Sequence, residues 1–206
     1  MTVLWQRERA ESAASERRAM REAEPNHEAA MNPFELLIAS LQQLAAVLRT
    51  ATDQQYVQKP VGVIESSIGG HVRHCLDHFE ALCVGADAGE LDYDQRARGT
   101  PIETNRAAAL SAIAGLQTRL ARIDESGLGR AIAVRAVVTG DGDVFEASST
   151  IGREAVFVLS HTVHHNALIG AMCATLGIPL PERFGYAPAT LAHLNGSACA
   201  RSPSSP

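Results

Sequence analysis

The sequence predicts an all-α protein: a four-helix bundle that carries a small β-hairpin between its third and fourth helices. Four segments place apolar residues three and four positions apart, which lines one face of a helix. Between the last two segments the period changes to strict alternation, at Ile132, Val134, Ala136 and Val138, which is typical of a half-buried strand. With 206 residues, 46% of them hydrophobic, the chain can form a core without disulfide or metal staples.

The first predicted helix begins at Pro33. Asn32 can cap it, proline suits the first helical position, and Glu35 completes a capping box. The apolar face that follows consists of Phe34, Leu37, Ile38, Leu41, Leu44 and Leu48. This pattern fades between residues 50 and 53, so we expect a loop through Lys59 and Pro60.

The second predicted helix begins near Ser66 or Ser67 and runs to about Val84, and residues 85–100 are expected to form a loop. Another capping box, made by Thr100, Pro101 and Glu103, predicts the start of the third helix. The apolar face of that helix consists of Leu110, Ile113, Leu116, Leu120 and Ile123.

The hairpin is predicted to turn at residues 139–143, because the segment Thr-Gly-Asp-Gly-Asp has turn chemistry, and to return over residues 144–148. The fourth helix is expected over residues 150–176. Gly177 is a natural helix stop, and Pro179 and Pro181 prevent continuation. From residue 182 the chain is expected to be loop-like, with a short turn over residues 189–194.

Composition excludes several classes of function. The formal net charge is −5 and no basic patch stands out, so we expect no nucleic-acid partner. No run of 18 apolar residues occurs, so we expect no membrane partner. Four cysteines without a CxxC pair indicate free thiols in a reducing compartment. The N-terminus lacks the apolar core of a signal peptide, and the expected location is the cytoplasm.

Clustering of histidines is the main functional signal. On the fourth predicted helix, His161 and His165 are one turn apart and fall within the apolar stripe when residues are placed about 100° apart. Two histidines on an apolar face are costly unless each finds partners. One divalent metal that binds both nitrogens would satisfy them, and the helical pitch suits this spacing.

The second predicted helix carries His71, His74 and His78 beside its apolar face, from which a third ligand can come. By helical position alone, His71 or His78 is better placed than His74. The alternative reading is a set of buried histidines satisfied by hydrogen bonds. A zincin-type protease is not supported, because Thr162 stands where HExxH requires glutamate.

Glu154 lies about two turns before His161 on the same face and is the candidate catalytic residue. It can orient a ligand histidine, accept a proton or join the metal. The alternative role is an acidic residue favoured by the helix dipole. Asp92, Tyr93, Asp94, Arg96 and Arg98 form a charged run that can cover the mouth of the site, although surface charge is the simpler interpretation.

These segments resemble the DinB-like family of four-helix-bundle metal proteins. The stretch SSIGGHVRHCLDHFEAL is similar to the family's second helix, and SHTVHHNALIGAMCATLGIPLP is similar to its last helix. The resemblance covers roughly residues 33–181. It implies that His74, His161 and His165 are the metal ligands, whereas helical position leaves His78 and His71 as alternates for His74. Many members follow the last ligand with Arg-Gly-Gln, whereas this chain has Asn166-Ala167-Leu168.

What the resemblance implies about function is a three-histidine site for zinc, nickel or iron with open coordination positions. It implies a small-molecule substrate, a transferase that uses a low-molecular-weight thiol, and frequent homodimers. A hydrolase, or a non-catalytic metal-binding or stress-response protein, is the alternative. The expected domains are a flexible extension over residues 1–30, a DinB-like helical bundle over 31–195 and a disordered tail over 196–206. Met31 is an alternative start.

Overall fold

The structure, a computed structural model, describes residues 32–62, 64–95 and 99–199. The predicted extension over residues 1–30 and the end of the predicted tail, from residue 200, lie outside these ranges. The described part is mostly helical and carries a three-stranded sheet.

The four long helices are α1 (Pro33–Thr50), α3 (Ile68–Ala88), α4 (Arg106–Leu120) and α5 (Ile151–Leu176). Helix α1 packs on α4 and α5, and α3 also packs on α4 and α5. Their facing sides bury an apolar core that includes Leu41, Phe79 and Val158. Because α3 and α5 contact each other along this core, side chains at the edge of their apolar faces come together.

Local sequence explains where the long helices begin and end. The side chain of Asn32 accepts a hydrogen bond from the Phe34 backbone N–H at 2.8 Å, and Ser67 caps α3 in the same manner. Gly177 ends α5 in the left-handed conformation, with φ 68°, which glycine adopts at little cost. The boundaries predicted for these helix ends are confirmed.

The predicted hairpin is confirmed as β2 (Ala131–Val137) and β3 (Val144–Thr150), which pair antiparallel. The loop predicted over residues 85–100 is wrong in its first half, because α3 continues to Ala88 and β1 (Glu90–Asp92) follows. Strand β1 pairs parallel with β2 and completes the sheet in the order β1-β2-β3. A Cβ on Gly85 would lie 2.9 Å from Leu91 Cβ, so glycine here permits close packing rather than ending the helix.

The predicted start of the third helix is also wrong. Residues Pro101–Glu103 form a separate 3-10 turn, and Thr100 makes no side-chain cap hydrogen bond. The cap of α4 is Asn105, whose side chain accepts from the Ala108 N–H at 3.0 Å. A proline and an acidic residue suit the first turn of either kind of helix, so the pattern alone did not separate them.

Two short helices occupy segments predicted as loop. Helix α2 (Asp53–Val57) begins with a capping box made by Thr52 and Gln55. Helix α6 (Pro188–Cys199) replaces the predicted short turn and runs past the predicted tail boundary at 196. Within the described ranges no helix combines the length and the apolar character needed to cross a membrane.

Candidate metal centre

Helix α5 brings His161 and His165 to the side that faces α3. Its buried side includes Val158, Ile169 and Met172, and the two histidines lie at the half-buried edge of that side. Their ring centroids are 4.5 Å apart, as expected for neighbours one turn apart on a helix. The predicted histidine pair therefore presents two imidazoles to the adjacent helix.

Helix α3 supplies the third imidazole from His74. Its ring centroid lies 4.9 Å from that of His161 and 4.7 Å from that of His165. One ligand nitrogen from each of the three side chains can be chosen so that all lie within 4.8 Å of one another. The Nε2 atoms of His74 and His161 are 3.0 Å apart. We call His74, His161 and His165 the histidine triad.

The distance between two members of the triad fits a divalent metal ion in geometry. Nitrogen ligands that each lie about 2.0–2.1 Å from one ion, at angles between a right angle and a tetrahedral angle, are separated by about 2.8–3.4 Å. The separation of 3.0 Å between His74 and His161 falls within this range. Imidazole suits zinc, nickel and iron alike.

The charge state of two triad members, His161 and His165, also suits a metal ion. Burial, followed by repulsion from His78 and His165, lowers the pKa of His161 to about 3. Burial and then His71 lower the pKa of His165 to about 4. Both side chains are therefore neutral near pH 7, and neutral imidazole is the form that binds metal.

His71, an alternate for the third ligand, lies behind His165 rather than in the triad. Its Nδ1 is 3.0 Å from Nδ1 of His165, and its buried Nε2 has no hydrogen-bond partner among the described residues. A metal-bound histidine usually donates its other ring N–H to a neighbouring acceptor. His71 Nδ1 is placed to accept such a hydrogen bond from His165.

His78, the other alternate, lies against His161 as a stacking partner. It is 7% exposed, and its ring centroid is 3.9 Å from that of His161 with 23° between the planes. Its Nδ1 lies 3.0 Å from the backbone oxygen of His74. Both alternates therefore border the triad, one behind each histidine of α5.

Glu154 is 1% exposed, and side chains hold both of its carboxylate oxygens. Ser149 donates to Oε1 at 2.6 Å and Arg153 donates to the same oxygen at 2.9 Å. Tyr93 donates to Oε2 at 2.7 Å. The structure thus gives the candidate catalytic residue a set of hydrogen-bond donors, and it does not place Glu154 in the triad.

Tyr93 is the residue whose role the sequence interpretation missed. Its ring stacks on His78 at 5.0 Å and lies 5.1 Å from that of Phe157. Burial, followed by the hydrogen bond to Glu154, raises its pKa, so the hydroxyl remains a donor. The sequence showed only one aromatic residue within a charged segment. It did not show the contacts of that residue, because its partners His78 and Glu154 are distant in sequence.

A cleft of about 920 Å³ lies between α3, β1 and α4. Leu76, Leu91 and Leu116 are among its apolar lining residues, and Asp77, Glu80 and Arg119 are among its charged ones. None of the triad histidines lines it. The cleft is therefore a feature separate from the candidate metal centre.

Comparison with known proteins identifies a family and a similar fold. The profile of the DinB superfamily matches residues 36–169, a range that includes the whole triad. The crystal structure of a DinB-like protein from Bacillus subtilis is similar with a TM-score of 0.55 and 16% identity, over 75% of this chain and 99% of that chain. At this identity the likeness shows the fold alone.

A curated relative, FK506-binding protein 5 from Rhizopus delemar, is 34% identical over 105 residues. The match covers 50% of this chain and 27% of the relative, so the chain spans about a quarter of that protein's length.

Proposed function

Because the chain belongs to the DinB superfamily, we propose that it is a metal-dependent enzyme in which His74, His161 and His165 hold a divalent ion. Zinc, nickel and iron are the candidates. The four long helices are proposed to form the bundle that supports the site. The observation that carries this proposal is the convergence of three ligand nitrogens within 4.8 Å.

The chemistry follows from the ligand set. Three neutral imidazoles leave the charge of a divalent ion uncompensated, so the bound ion would acidify a water molecule or a thiol. The chain's own residues shape the surroundings. Phe157 lies beside His161, with ring centroids 5.9 Å apart, and the Arg153 guanidinium lies 5.3 Å from the Phe157 ring centroid. Phe157 and Arg153 therefore line the surroundings of His161, with the Arg153 charge paired to Glu154 at 2.9 Å.

The reaction proposed is group transfer to a low-molecular-weight thiol. The thiol sulfur forms a bond to an electrophilic carbon of the second substrate, the bond from that carbon to its leaving group breaks, and the thiol proton passes to solvent. Three protein ligands would leave coordination positions for a thiol or for water, which supports this class. A hydrolase would use water as the nucleophile at the same site, and a non-catalytic metal-binding protein would show no turnover.

The experiment begins with elemental analysis of purified protein after reconstitution with zinc, nickel or ferrous iron. The double variant His161→Ala/His165→Ala removes two of the three ligands. His193→Ala is the matched control, since His193 lies exposed on α6 outside the triad. We expect about one ion per chain in the parent and in His193→Ala, and none in the double variant.

Turnover is then measured with glutathione, cysteine or bacillithiol and an electrophile such as monobromobimane, in the metal-loaded protein. Thiol conjugation that the double variant loses would support the transferase. Metal-dependent ester cleavage without conjugation would favour the hydrolase, and bound metal without either activity would favour the non-catalytic alternative. A chain that takes up none of the three ions would overturn the whole proposal.

A homodimer stays a prediction from the family resemblance. Light scattering coupled to size exclusion measures the molar mass of the protein in solution. A mass near twice 21.9 kDa would support the dimer.

A further inference from the structure

The buried carboxylate of Glu154 joins three parts of the fold. Tyr93 follows directly after β1, Ser149 belongs to β3, and Arg153 lies in the first turn of α5. All three donate to the carboxylate at 2.6–2.9 Å. A buried carboxylate is costly unless it is fully hydrogen-bonded. This set of donors therefore fixes the ends of two strands against α5.

The ring of Tyr93 continues this connection toward the triad. Tyr93 stacks on His78 with 24° between the ring planes, and His78 stacks on His161 with 23° between the planes. The three rings thus form one continuous stack. The hydroxyl at one end of the stack donates to the Glu154 carboxylate, and the ring at the other end belongs to the triad. We call Tyr93, His78 and His161 the ring stack.

The stack limits the orientations that His161 can adopt. His74 lies beside His78, with ring centroids 4.7 Å apart, and its Nε2 faces Nε2 of His161 at 3.0 Å. Tilting of the His161 ring face toward His78 would have to displace His78, which is buried, and then Tyr93. The hydrogen bond between the Tyr93 hydroxyl and Glu154 opposes that displacement.

We infer that Tyr93 and Glu154 are positioning residues, which act through His78 to hold the plane of the His161 ring in the orientation that presents its Nε2 to His74. The inference rests on the proposed metal-binding function and extends it. It assigns the sheet a role in the site, because Tyr93, after β1, reaches the triad through His78, and Ser149 of β3 is joined to Tyr93 through Glu154. It also explains the burial of Glu154, since one carboxylate oxygen accepts from Tyr93 while the other is held by Ser149 and Arg153.

The strongest alternative is a purely structural one, in which the Glu154 cluster stabilises the fold and leaves the metal site unaffected. The two readings differ in metal affinity. Loss of an interaction that orients a metal ligand commonly weakens metal binding by about 10- to 100-fold. Loss of a remote structural interaction lowers the free energy of unfolding, yet the protein that remains folded binds metal as before.

The test compares zinc affinities of folded proteins by competition with a chromophoric chelator. Tyr93→Phe keeps the ring and removes the hydroxyl, and Glu154→Ala removes the acceptor. Glu154→Gln keeps an oxygen that can accept from Tyr93. Tyr186→Phe is the matched control, since Tyr186 is 50% exposed and lies outside the ring stack. Circular dichroism confirms that each variant is folded at the assay temperature.

We expect the zinc Kd to rise about tenfold in Tyr93→Phe and Glu154→Ala. Glu154→Gln should stay within about threefold of the parent, and Tyr186→Phe should match it. The visible spectrum of the cobalt-substituted protein should change in Tyr93→Phe, because it reports the geometry of the bound ion. Parent-like affinity and spectrum in Tyr93→Phe and Glu154→Ala would overturn the inference while the metal site itself stands.

A metal-free measurement separates this inference from the proposed function. In the metal-free protein, the ring Cε1–H signal of His161 is recorded by NMR. Tyr93→Phe retains an aromatic ring, so a shifted or broadened signal indicates a displaced His161 ring rather than a missing neighbour. Zinc binding absent from the parent would overturn the proposed function, and an unchanged His161 signal would overturn the positioning role.

Discussion

The Nε2 atoms of His74 and His161 lie 3.0 Å apart, on two helices that belong to opposite halves of the chain. Two neutral imidazoles that meet nitrogen to nitrogen either share one proton or coordinate a common ion. The distance of 3.0 Å suits a shared proton and a common ion alike, because it matches both a hydrogen bond and the spacing of two ligands on one metal. Metal binding therefore requires little movement of these side chains.

The identity of the third ligand can be tested by single substitutions. We expect His74→Ala to weaken zinc binding by at least about 100-fold, because it removes a ligand. His71→Ala should weaken binding by only about tenfold, because His71 is placed to accept a hydrogen bond from His165. Isothermal titration calorimetry provides both values. Tight binding in His74→Ala together with its loss in His71→Ala would contradict the assignment of the triad.

Stability of the metal-free protein should fall as the pH is lowered. The pKa values of His161 and His165 are lowered to about 3 and about 4 in the folded chain, whereas an unfolded chain has histidine pKa values near 6.5. Below about pH 6.5 the unfolded chain therefore binds more protons, which favours unfolding. The free energy of unfolding that these histidines contribute near pH 7.5 is lost progressively as the pH falls from about 6.5 toward their pKa values in the folded chain.

Urea unfolding at pH 7.5 and 5.0, with a chelator present, measures this effect. The free energy of unfolding should fall by at most about 1.4 kcal/mol per pH unit for each histidine. The matched control is His161→Gln/His165→Gln, in which the dependence between these pH values should become shallower. A parent whose stability does not decrease between pH 7.5 and 5.0 would show that these histidines titrate normally in the folded chain.

Cys75, Cys83 and Cys173 should resist thiol reagents in the native protein. All three are free and buried, and burial raises the pKa of Cys75 to about 12 and those of Cys83 and Cys173 to about 11. Since the thiolate is the reactive form, a native Cys199→Ser variant should react slowly with Ellman's reagent at pH 8. In guanidinium, three thiols per chain should react at once. Rapid reaction of a native thiol would indicate that its part of the core opens easily.

Two helical glycines should respond in opposite directions to alanine. A Cβ at Gly69 would overlap the Glu103 carbonyl oxygen and lie 2.8 Å from the Tyr56 ring, so Gly69→Ala should destabilise by about 3 kcal/mol. Gly115 has nothing within 4 Å of the added atom, so Gly115→Ala should stabilise by about 0.5–1 kcal/mol. Thermal unfolding of both variants measures the contrast. An equal change in stability for the two variants would mean that the turn Pro101–Glu103 shifts to make room for the methyl group at residue 69.

Local patterns predicted the long helices, the hairpin and the histidine clusters. Helical spacing put His161 and His165 on one face, and this requires only the period of the helix. Choosing His74 over His71 and His78 needed the family resemblance, because rotation of α3 about its axis is determined by its packing on α4 and α5. The structure brings His74 together with the histidine pair, as the resemblance implied.

Contacts between distant segments explain what the sequence did not reveal. Strand β1 has three residues, too few for a detectable alternation, and its partner β2 lies beyond α4. Tyr93 and Glu154 are 61 positions apart, so no local pattern joins them. The helical wheel placed Glu154 on the correct face of α5, but its hydrogen-bond donors include Tyr93 and Ser149, which lie outside that helix.

The 87 positions between His74 and His161 have a consequence for biosynthesis. A nascent chain that ends before α5 offers one nitrogen of the triad, and the other two emerge together only after the sheet has been made. In the proposed metalloprotein, ion capture would therefore follow completion of the fold during translation. Truncated or proteolysed fragments that lack α5 would release the ion, so metal content would report that the chain is intact from α3 through α5.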